Sequence, residues 1–314
     1  MSIKSLDLYS YFFCPYAQRS LIAISEAQVA GKLANFSTVD KQTNFHYHEI
    51  DLHQDKQKEV SFLAINPQNK VPVLKIDLGD GTTYKINESL VINEFIQEQF
   101  HHDLIPKGKT EFETSTKKAQ SRIWISYFDS NVPSFFYKVL FDTPTIEKVQ
   151  SEFLPQIQEK LSFLTQHGYR INNDKSGPFF FGSNFSLIDI ALYPFISRID
   201  IILRHKFQTN LFQASPLAKN HDEVQTDLLV WQHWLTEAKK RQSIKWSSYE
   251  PRFVPEATYS TVLKKLLTGE EVKHHHERSP DISHSELNTQ WFDYEKFFLT
   301  GLDLLHDKLA KQKK

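Results

Sequence analysis

Short apolar runs alternate with helically spaced apolar residues over the first hundred positions, and this alternation predicts a mixed α/β domain. The predicted strands cover residues 6–11, 45–52, 71–76 and 83–86, and the predicted helices cover residues 15–30, 56–65 and 89–100. Gly31 is expected to end the first helix, and residues 32–44 are predicted to form a polar loop. The predicted element order is therefore βαβαββα.

Strand signals nearly vanish after this region, which predicts an all-helical second part. Pro106 and Gly108 mark residues 101–110 as a linker. The predicted helices cover residues 111–140, 145–166, 187–205, 223–241, 258–267 and 286–311. Ser186 and Asp189 form an acidic capping box at the start of an apolar helix, so we interpret Asp189 as structural. The predicted fold class is an α+β N-terminal domain followed by an all-α domain.

The charge balance excludes some classes of partner. The sequence has 37 Lys and Arg against 38 Asp and Glu in 314 residues, which gives no reason to expect a nucleic-acid or anionic-membrane partner. The apolar stretch 187–203 contains Asp189, Arg198 and Asp200, so we interpret it as a buried helix rather than a membrane span. No signal-peptide pattern is present, and the expected location is cytoplasmic.

Cys14 is the only cysteine in the sequence, and it lies where the first predicted strand turns into the first predicted helix. Free backbone N–H groups and the positive end of the helix dipole favour a thiolate at such a junction, and Pro15 suits the first helical position. The alternative is that a lone cysteine is a small buried hydrophobe. Because Ala17 stands where a dithiol oxidoreductase carries its second cysteine, a disulfide formed on Cys14 must be resolved by a thiol from solution.

Two groups of histidines raise the question of a metal site. His46 and His48 share one face of a predicted strand, and His274, His275 and His276 are consecutive. Consecutive side chains cannot all face one ion from a regular backbone, and no cysteine lies near them. We therefore expect satisfied or exposed histidines and no bound metal.

Three segments of the first hundred residues carry recognisable signatures. Residues 14–19 read Cys-Pro-Tyr-Ala-Gln-Arg, residues 66–74 read Asn-Pro-Gln-Asn-Lys-Val-Pro-Val-Leu, and Glu88 is followed by Ser89. Together they resemble the cytosolic glutathione transferases, specifically the cysteine-dependent omega and lambda classes.

The resemblance extends over about residues 5–245 and implies a domain organisation. It implies a thioredoxin-like glutathione-binding domain over residues 1–100, a linker over 101–110 and an all-helical domain over 111–245. Residues 246–314 fall outside it and form an extension, predicted to be helical, whose role the resemblance does not define. The resemblance also implies a homodimer in which the N-terminal domain of one subunit meets the helices of the other.

The resemblance also implies roles for individual residues. Cys14 is the expected nucleophile. A cis peptide before Pro72 exposes the backbone of Val71 to the cysteinyl part of glutathione, as an added strand would. Glu88 is expected to pair with the ammonium and Ser89 with the carboxylate of the γ-glutamyl end. The remaining expected contacts are Tyr16 and Lys58 for glutathione, and Tyr127, Phe128 and Phe135 for a second substrate, although these aromatic residues could equally be core.

The implied function is a glutathione-dependent thiol transferase that uses glutathione as co-substrate and needs no metal. Its expected second substrates are mixed disulfides or small hydrophobic electrophiles, and the implied activities are deglutathionylation, dehydroascorbate reduction or reduction of glutathionyl conjugates. One alternative is a conjugating transferase that uses a hydroxyl of Tyr9, Ser10 or Tyr11. Another is a non-catalytic glutathione- or ligand-binding protein, which the C-terminal extension suggests.

Overall fold

The computed structural model describes residues 3–11, 13–33, 44–52, 55–100, 103–142 and 144–248, with individual helical residues between 295 and 310. Its internal contacts divide the chain into two units. The first unit contains residues 1–102 and 242–305, and the second contains residues 103–241 and 306–314. The predicted helix at 258–267 lies outside the described residues, as does most of the predicted loop at 32–44.

A four-stranded mixed sheet forms the framework of the first unit. Its strands are β1 (Ser5–Ser10), β2 (Asn44–Glu49), β3 (Val73–Asp77) and β4 (Thr83–Asn87). Their spatial order is β2-β1-β3-β4, with β2 parallel to β1 and the other neighbours antiparallel. The predicted order βαβαββα is confirmed.

The register brings three chain segments to one edge of this sheet. Tyr9, near the end of β1, pairs with Val73 at the start of β3, and Val73 pairs with Asn87 at the end of β4. The chain that leaves β1, the chain that enters β3 and the chain that leaves β4 therefore meet at the same edge. We call it the site edge.

Helix α1 is the most enclosed helix of the first unit. The continuously described part of this unit contains the helices α1 (Pro15–Val29), α2 (Val60–Leu63), which follows a 3₁₀ turn (Lys56–Lys58), α3 (Ser89–Phe100) and α11 (Gln242–Ser247). Both α3 and α11 pack against α1, and only its last residue is largely exposed. Ser243 of α11 donates a hydrogen bond to the buried carboxylate of Glu26, and Gln18 Nε2 donates to Ser248 Oγ at 3.3 Å. These contacts group α11 with the first unit, so the division differs from the predicted boundary at residue 245.

The second unit is helical. Its helices are α4 (Glu111–Asn131), α5 (Pro133–Phe141), α6 (Ile146–Lys148), α7 (Leu154–Leu164), α8 (Arg170–Asn172), α9 (Leu187–Lys206) and α10 (His221–Lys240), with π-helical turns at Val149–Phe153 and Thr165–Tyr169. The single helix predicted over 111–140 is two helices, because Pro133 has no backbone N–H and begins the second one. None of the described helices combines the length and apolar character needed to cross a membrane.

Asp189 joins three parts of the second unit. Its Oδ2 accepts hydrogen bonds from the backbone N–H of Ser186 at 2.9 Å and from the Ser186 hydroxyl at 2.7 Å. Its Oδ1 accepts from the backbone N–H of Phe180 at 3.0 Å and from Trp234 Nε1 at 2.8 Å. Burial raises the pKa of the Asp189 carboxyl, although the donated hydrogen bonds oppose that rise. The predicted capping box is confirmed, and it holds the start of α9 to α10.

We predict that Asp189→Ala lowers the free energy of unfolding by about 3–5 kcal/mol, because it leaves several buried donors without an acceptor. Urea unfolding followed by tryptophan fluorescence measures the loss. Asp103→Ala is the control, since Asp103 is an exposed partner of Lys107 and its removal should change the stability by less than about 1 kcal/mol. An Asp189→Ala midpoint equal to that of the control would refute the structural role.

Candidate functional site

Cys14 stands at the junction between the site edge and helix α1. It occupies the N-cap position in an extended conformation, with φ −77° and ψ 115°, and Pro15 is the first helical residue. The Cys14 backbone N–H donates to the Tyr11 carbonyl at 2.9 Å, and its carbonyl accepts from Gln18 N–H at 3.1 Å. Cys14 is partly exposed. Cys14 therefore stands at the N-terminus of α1, where the positive end of the helix dipole favours an anion.

The chain that enters β3 forms the second segment of the site. The Val71–Pro72 peptide is cis. The loop before it is organised by Asn66, which is only 1% exposed. Asn66 Nδ2 donates to the Lys70 carbonyl at 2.7 Å, and Asn66 Oδ1 accepts from Gln68 N–H at 3.1 Å. One amide side chain thus fixes the loop that precedes Val71.

The third segment is the turn from β4 into α3. Glu88 has a φ of +69°, in the left-handed region that a glutamate rarely adopts. Its carbonyl accepts from Ile92 N–H at 2.9 Å, so Glu88 occupies the cap position and α3 begins at Ser89. Ser89 is buried, whereas Glu88 is exposed. The N–H groups of the first turn and an exposed carboxylate are therefore side by side.

Two hydrogen bonds connect these segments, one partly buried and one buried. Asn87 Nδ2 donates to Asn66 Oδ1 at 3.3 Å, which ties the loop before Val71 to the end of β4. Ser20 Oγ on α1 donates to the Ser89 carbonyl at 3.5 Å, which ties the helix that carries Cys14 to the start of α3. The site edge thus combines a thiol, a loop of fixed conformation and a helix N-terminus flanked by a carboxylate.

The two other predicted glutathione contacts have partners of their own. The guanidinium carbon of Arg19 lies 5.0 Å from the centre of the Tyr16 ring. Lys58 Nζ lies 3.0 Å from Asp55 Oδ1, and both side chains are 63% exposed. Such an exposed ion pair is weak and exchangeable, so Lys58 can turn to another anion at little cost.

The alternative hydroxyl candidates are the last two residues of β1 and the residue that follows it. The Tyr9 ring stacks on His48, with centroids 4.4 Å apart, and burial, followed by the charge of Asp7, raises the Tyr9 pKa. Ser10 and Tyr11 are buried. His48 Nε2 and His46 Nδ1 both contact Asp7 Oδ1, at 2.7 and 3.2 Å. The ring stacking on His48 and the burial of Ser10 and Tyr11 favour a structural role for these hydroxyl residues.

The predicted second-substrate contacts lie in the second unit. Phe128 is 0% exposed and meets Phe195 edge-on at 6.1 Å between ring centroids, so it belongs to the core and has no surface for a ligand. Phe135 is nearly buried. Tyr127 stacks on Phe163 at 5.0 Å between centroids, and burial raises its pKa to about 12.

Sequence reasoning missed the side chains that hold the site together. Asn66 precedes Pro67, and an Asn-Pro pair signals a turn, but its bond to Asn87 depends on the sheet register. Ser20 has no distinguishing local pattern, because only the packing of α1 on α3 gives its hydroxyl a partner.

Comparisons with known proteins agree with this geometry. The family model described as the glutathione S-transferase N-terminal domain matches residues 13–99, and the model of the corresponding C-terminal domain matches residues 147–221. The first match contains all three segments of the site edge, and the second contains the capping box of α9.

Individual relatives include omega-class proteins. Glutathione S-transferase omega-1 of Rattus norvegicus is 25% identical over 225 residues, which are 69% of this chain and 80% of the relative. Pyrimidodiazepine synthase of Drosophila melanogaster is 31% identical over 132 residues, 42% of this chain and 44% of that protein. The crystal structure of glutathione transferase Omega 3C from Trametes versicolor is similar, with a TM-score of 0.54 and 25% identity over 84% of this chain and 91% of that one. The chain therefore belongs to the glutathione transferase family, as an omega-like enzyme with the fold of that family.

Proposed function

We propose that this enzyme is a glutathione-dependent thiol transferase with Cys14 as its nucleophile. The observation that carries the proposal is the position of the only cysteine. It caps helix α1 at the edge that also presents the Val71–Pro72 and Glu88–Ser89 segments. A thiolate is the reactive form of cysteine, and a helix N-terminus favours it.

Each step of the proposed reaction is a thiol–disulfide exchange. The Cys14 thiolate attacks the glutathione sulfur of a mixed disulfide, which forms a Cys14–glutathione disulfide and releases the partner thiolate to take up a proton. A second glutathione, as thiolate, attacks the glutathione sulfur of that disulfide. Oxidised glutathione leaves and the Cys14 thiolate is restored. The external thiol is required because the sequence offers no second cysteine.

The other segments of the site edge bind the glutathione peptide in this proposal. Val71 presents its backbone to the cysteinyl part as an added strand. The first-turn N–H groups of α3 and the hydroxyl of Ser89 donate hydrogen bonds to the γ-glutamyl carboxylate, and Glu88 pairs with the ammonium group. Tyr16 and Lys58 are additional contacts, and Lys58 would exchange Asp55 for a carboxylate of glutathione.

The second substrate is a mixed disulfide or a small hydrophobic electrophile. In deglutathionylation and in reduction of glutathionyl conjugates, the Cys14 thiolate attacks the glutathione sulfur and displaces the partner. Dehydroascorbate carries no glutathione, so its reduction forms the Cys14–glutathione disulfide from Cys14 and a free glutathione, whose two thiols supply the two electrons and two protons. Tyr127 and Phe135 stay predicted contacts of this substrate, whereas Phe128 is assigned to the core. We place the enzyme in the cytoplasm, where glutathione keeps thiols reduced.

We also propose a homodimer that uses the N-terminal domain. Tyr84 on β4 and Val91 on α3 are 56% and 52% exposed. β4 is an edge strand of the sheet, and α3 packs beside it. Large exposed side chains at these two positions offer a surface that a second subunit can cover.

We predict that Cys14→Ser lowers the turnover of a small glutathionyl disulfide, such as that of hydroxyethyl thiol, by more than about a hundredfold, because a hydroxyl is not ionised at neutral pH. Turnover is measured with glutathione supplied in excess. If the Cys14→Ser variant retained more than about a tenth of the wild-type activity, the thiol mechanism would be wrong. Cys14→Ala that keeps or gains conjugation of an aryl halide would favour the conjugating alternative.

Asn66→Ala should raise the KM for glutathione by roughly tenfold while it changes kcat by less than about twofold, because it removes the buried bonds that fix the loop before Val71. The alkylation rate of Cys14 should stay at the wild-type value, since Asn66 does not contact α1 in the bonds described. Asn172→Ala is the matched control, because Asn172 Nδ2 also donates to a single carbonyl, that of Gly168 at 2.9 Å, in the second unit. An unchanged KM in Asn66→Ala would refute the positioning role.

A further inference from the structure

The C-terminal part of the chain reaches the residue that precedes Cys14. The Phe298 ring stacks on the Phe13 ring, with centroids 5.1 Å apart and an interplanar angle of 28°. Phe298 is 1% exposed and Phe13 is 7% exposed. Leu302, one helical turn further along, is also buried. This C-terminal contact lies beyond residues 147–221, where the C-terminal family model matches.

Gly301 contacts the same aromatic ring. A Cβ atom on Gly301 would lie 2.1 Å from Cε2 and 2.2 Å from Cζ of Phe13, which is far closer than two carbon atoms can approach. The backbone of the C-terminal segment therefore touches the edge of the Phe13 ring, and only glycine permits this approach.

Phe13 also contacts the ring of Tyr11. The two rings stack with centroids 6.3 Å apart, and Tyr11 is itself buried. The Tyr11 carbonyl accepts the Cys14 N–H, and this bond closes the turn that delivers the cysteine to the N-cap of α1. Phe13 is an internal residue of this turn, and its ring contacts both Tyr11 and Phe298.

We propose that Phe298 and Gly301 are positioning residues for Cys14. By holding the Phe13 ring they fix the turn between Tyr11 and Cys14, which keeps Cys14 at the N-cap of α1. If the ring is released, the turn loosens and the thiol spends less time at the helix end. The C-terminal extension, which the family resemblance leaves without a role, is then part of the active-site framework. The expected loss of turnover rests on the proposed function, but the expected change in the alkylation of Cys14 does not.

The test measures the reactivity of Cys14 in the full chain. The rate of alkylation by iodoacetamide is measured at about pH 6 and at about pH 9. The rate at the lower pH divided by the rate at the higher pH reports the fraction of Cys14 that is thiolate at the lower pH, independently of how accessible the thiol is. We expect Phe298→Ala and Gly301→Ala each to lower this ratio by roughly threefold or more, because the helix end then stabilises the thiolate less. We expect kcat for the glutathionyl disulfide to fall by a similar factor, and the KM for glutathione to change by less than about twofold.

Two further variants separate positioning from stability. Phe298→Leu keeps an apolar side chain against Phe13 and should retain a ratio within about twofold of wild type. Phe112→Ala is the matched control, since Phe112 is 80% exposed on α4 and should change nothing. If Phe298→Ala unfolds, Gly301→Ala carries the test, because it adds only one methyl group at the contact with Phe13, and Phe298→Leu is its conservative control.

The outcomes distinguish this proposal from the proposed function. A lowered urea midpoint with an unchanged alkylation ratio in both Gly301→Ala and Phe298→Ala would overturn the positioning role and leave a structural segment. A lowered ratio in these variants would support it even if the wild-type protein turned over no disulfide, a result that would overturn only the thiol transferase function.

Discussion

The fixed start of helix α1 is the constraint on which the active site depends. Glu26 of α1 accepts a buried hydrogen bond from Ser243 of α11, Ser20 bonds the first residue of α3, and both helices pack along α1. A helix held in this way cannot shift without breaking contacts with two neighbours. Its first turn therefore stays at the site edge, and the thiol at its N-cap inherits that position.

The site is assembled from segments that are distant in the sequence, and it depends on few bonds between them. The sheet register places the three segments at one edge, but register alone leaves the loops free. Asn66 removes this freedom on one side, because a single buried amide bonds both the loop before Val71 and the end of β4. The contact of Phe298 with Phe13 acts on the other side, at the turn before Cys14. Loss of the Asn66 bonds is expected to change the KM for glutathione, because these bonds support glutathione binding. Loss of the Phe298 contact is expected to change the reactivity of the Cys14 thiol.

The sequence predicts the features that have a local cause. Each such feature depends on a few neighbouring residues, as do the alternating apolar runs, Gly31 after α1 and the Ser186–Asp189 capping box. The structure confirms the order of elements that follows from them. Contacts between residues that are far apart in the sequence have no such local pattern. Neither the grouping of α11 with the first unit nor the bond between Asn66 and Asn87 could be predicted, because both depend on tertiary packing. Phe128 shows the same limit. Helical spacing predicts which residues share one face of a helix, but it does not predict whether that face is exposed to solvent or packs against Phe195.

A crystal structure of the protein after reaction with oxidised glutathione would test the central claim most directly. We expect a disulfide between Cys14 and glutathione, with the cysteinyl backbone paired to Val71 and the γ-glutamyl carboxylate at the N-terminus of α3 beside Ser89. A glutathione moiety that turned away from the site edge, with no contact to Val71 or Ser89, would contradict the account. It would show that the thiol reacts without the binding site that the sheet register assembles.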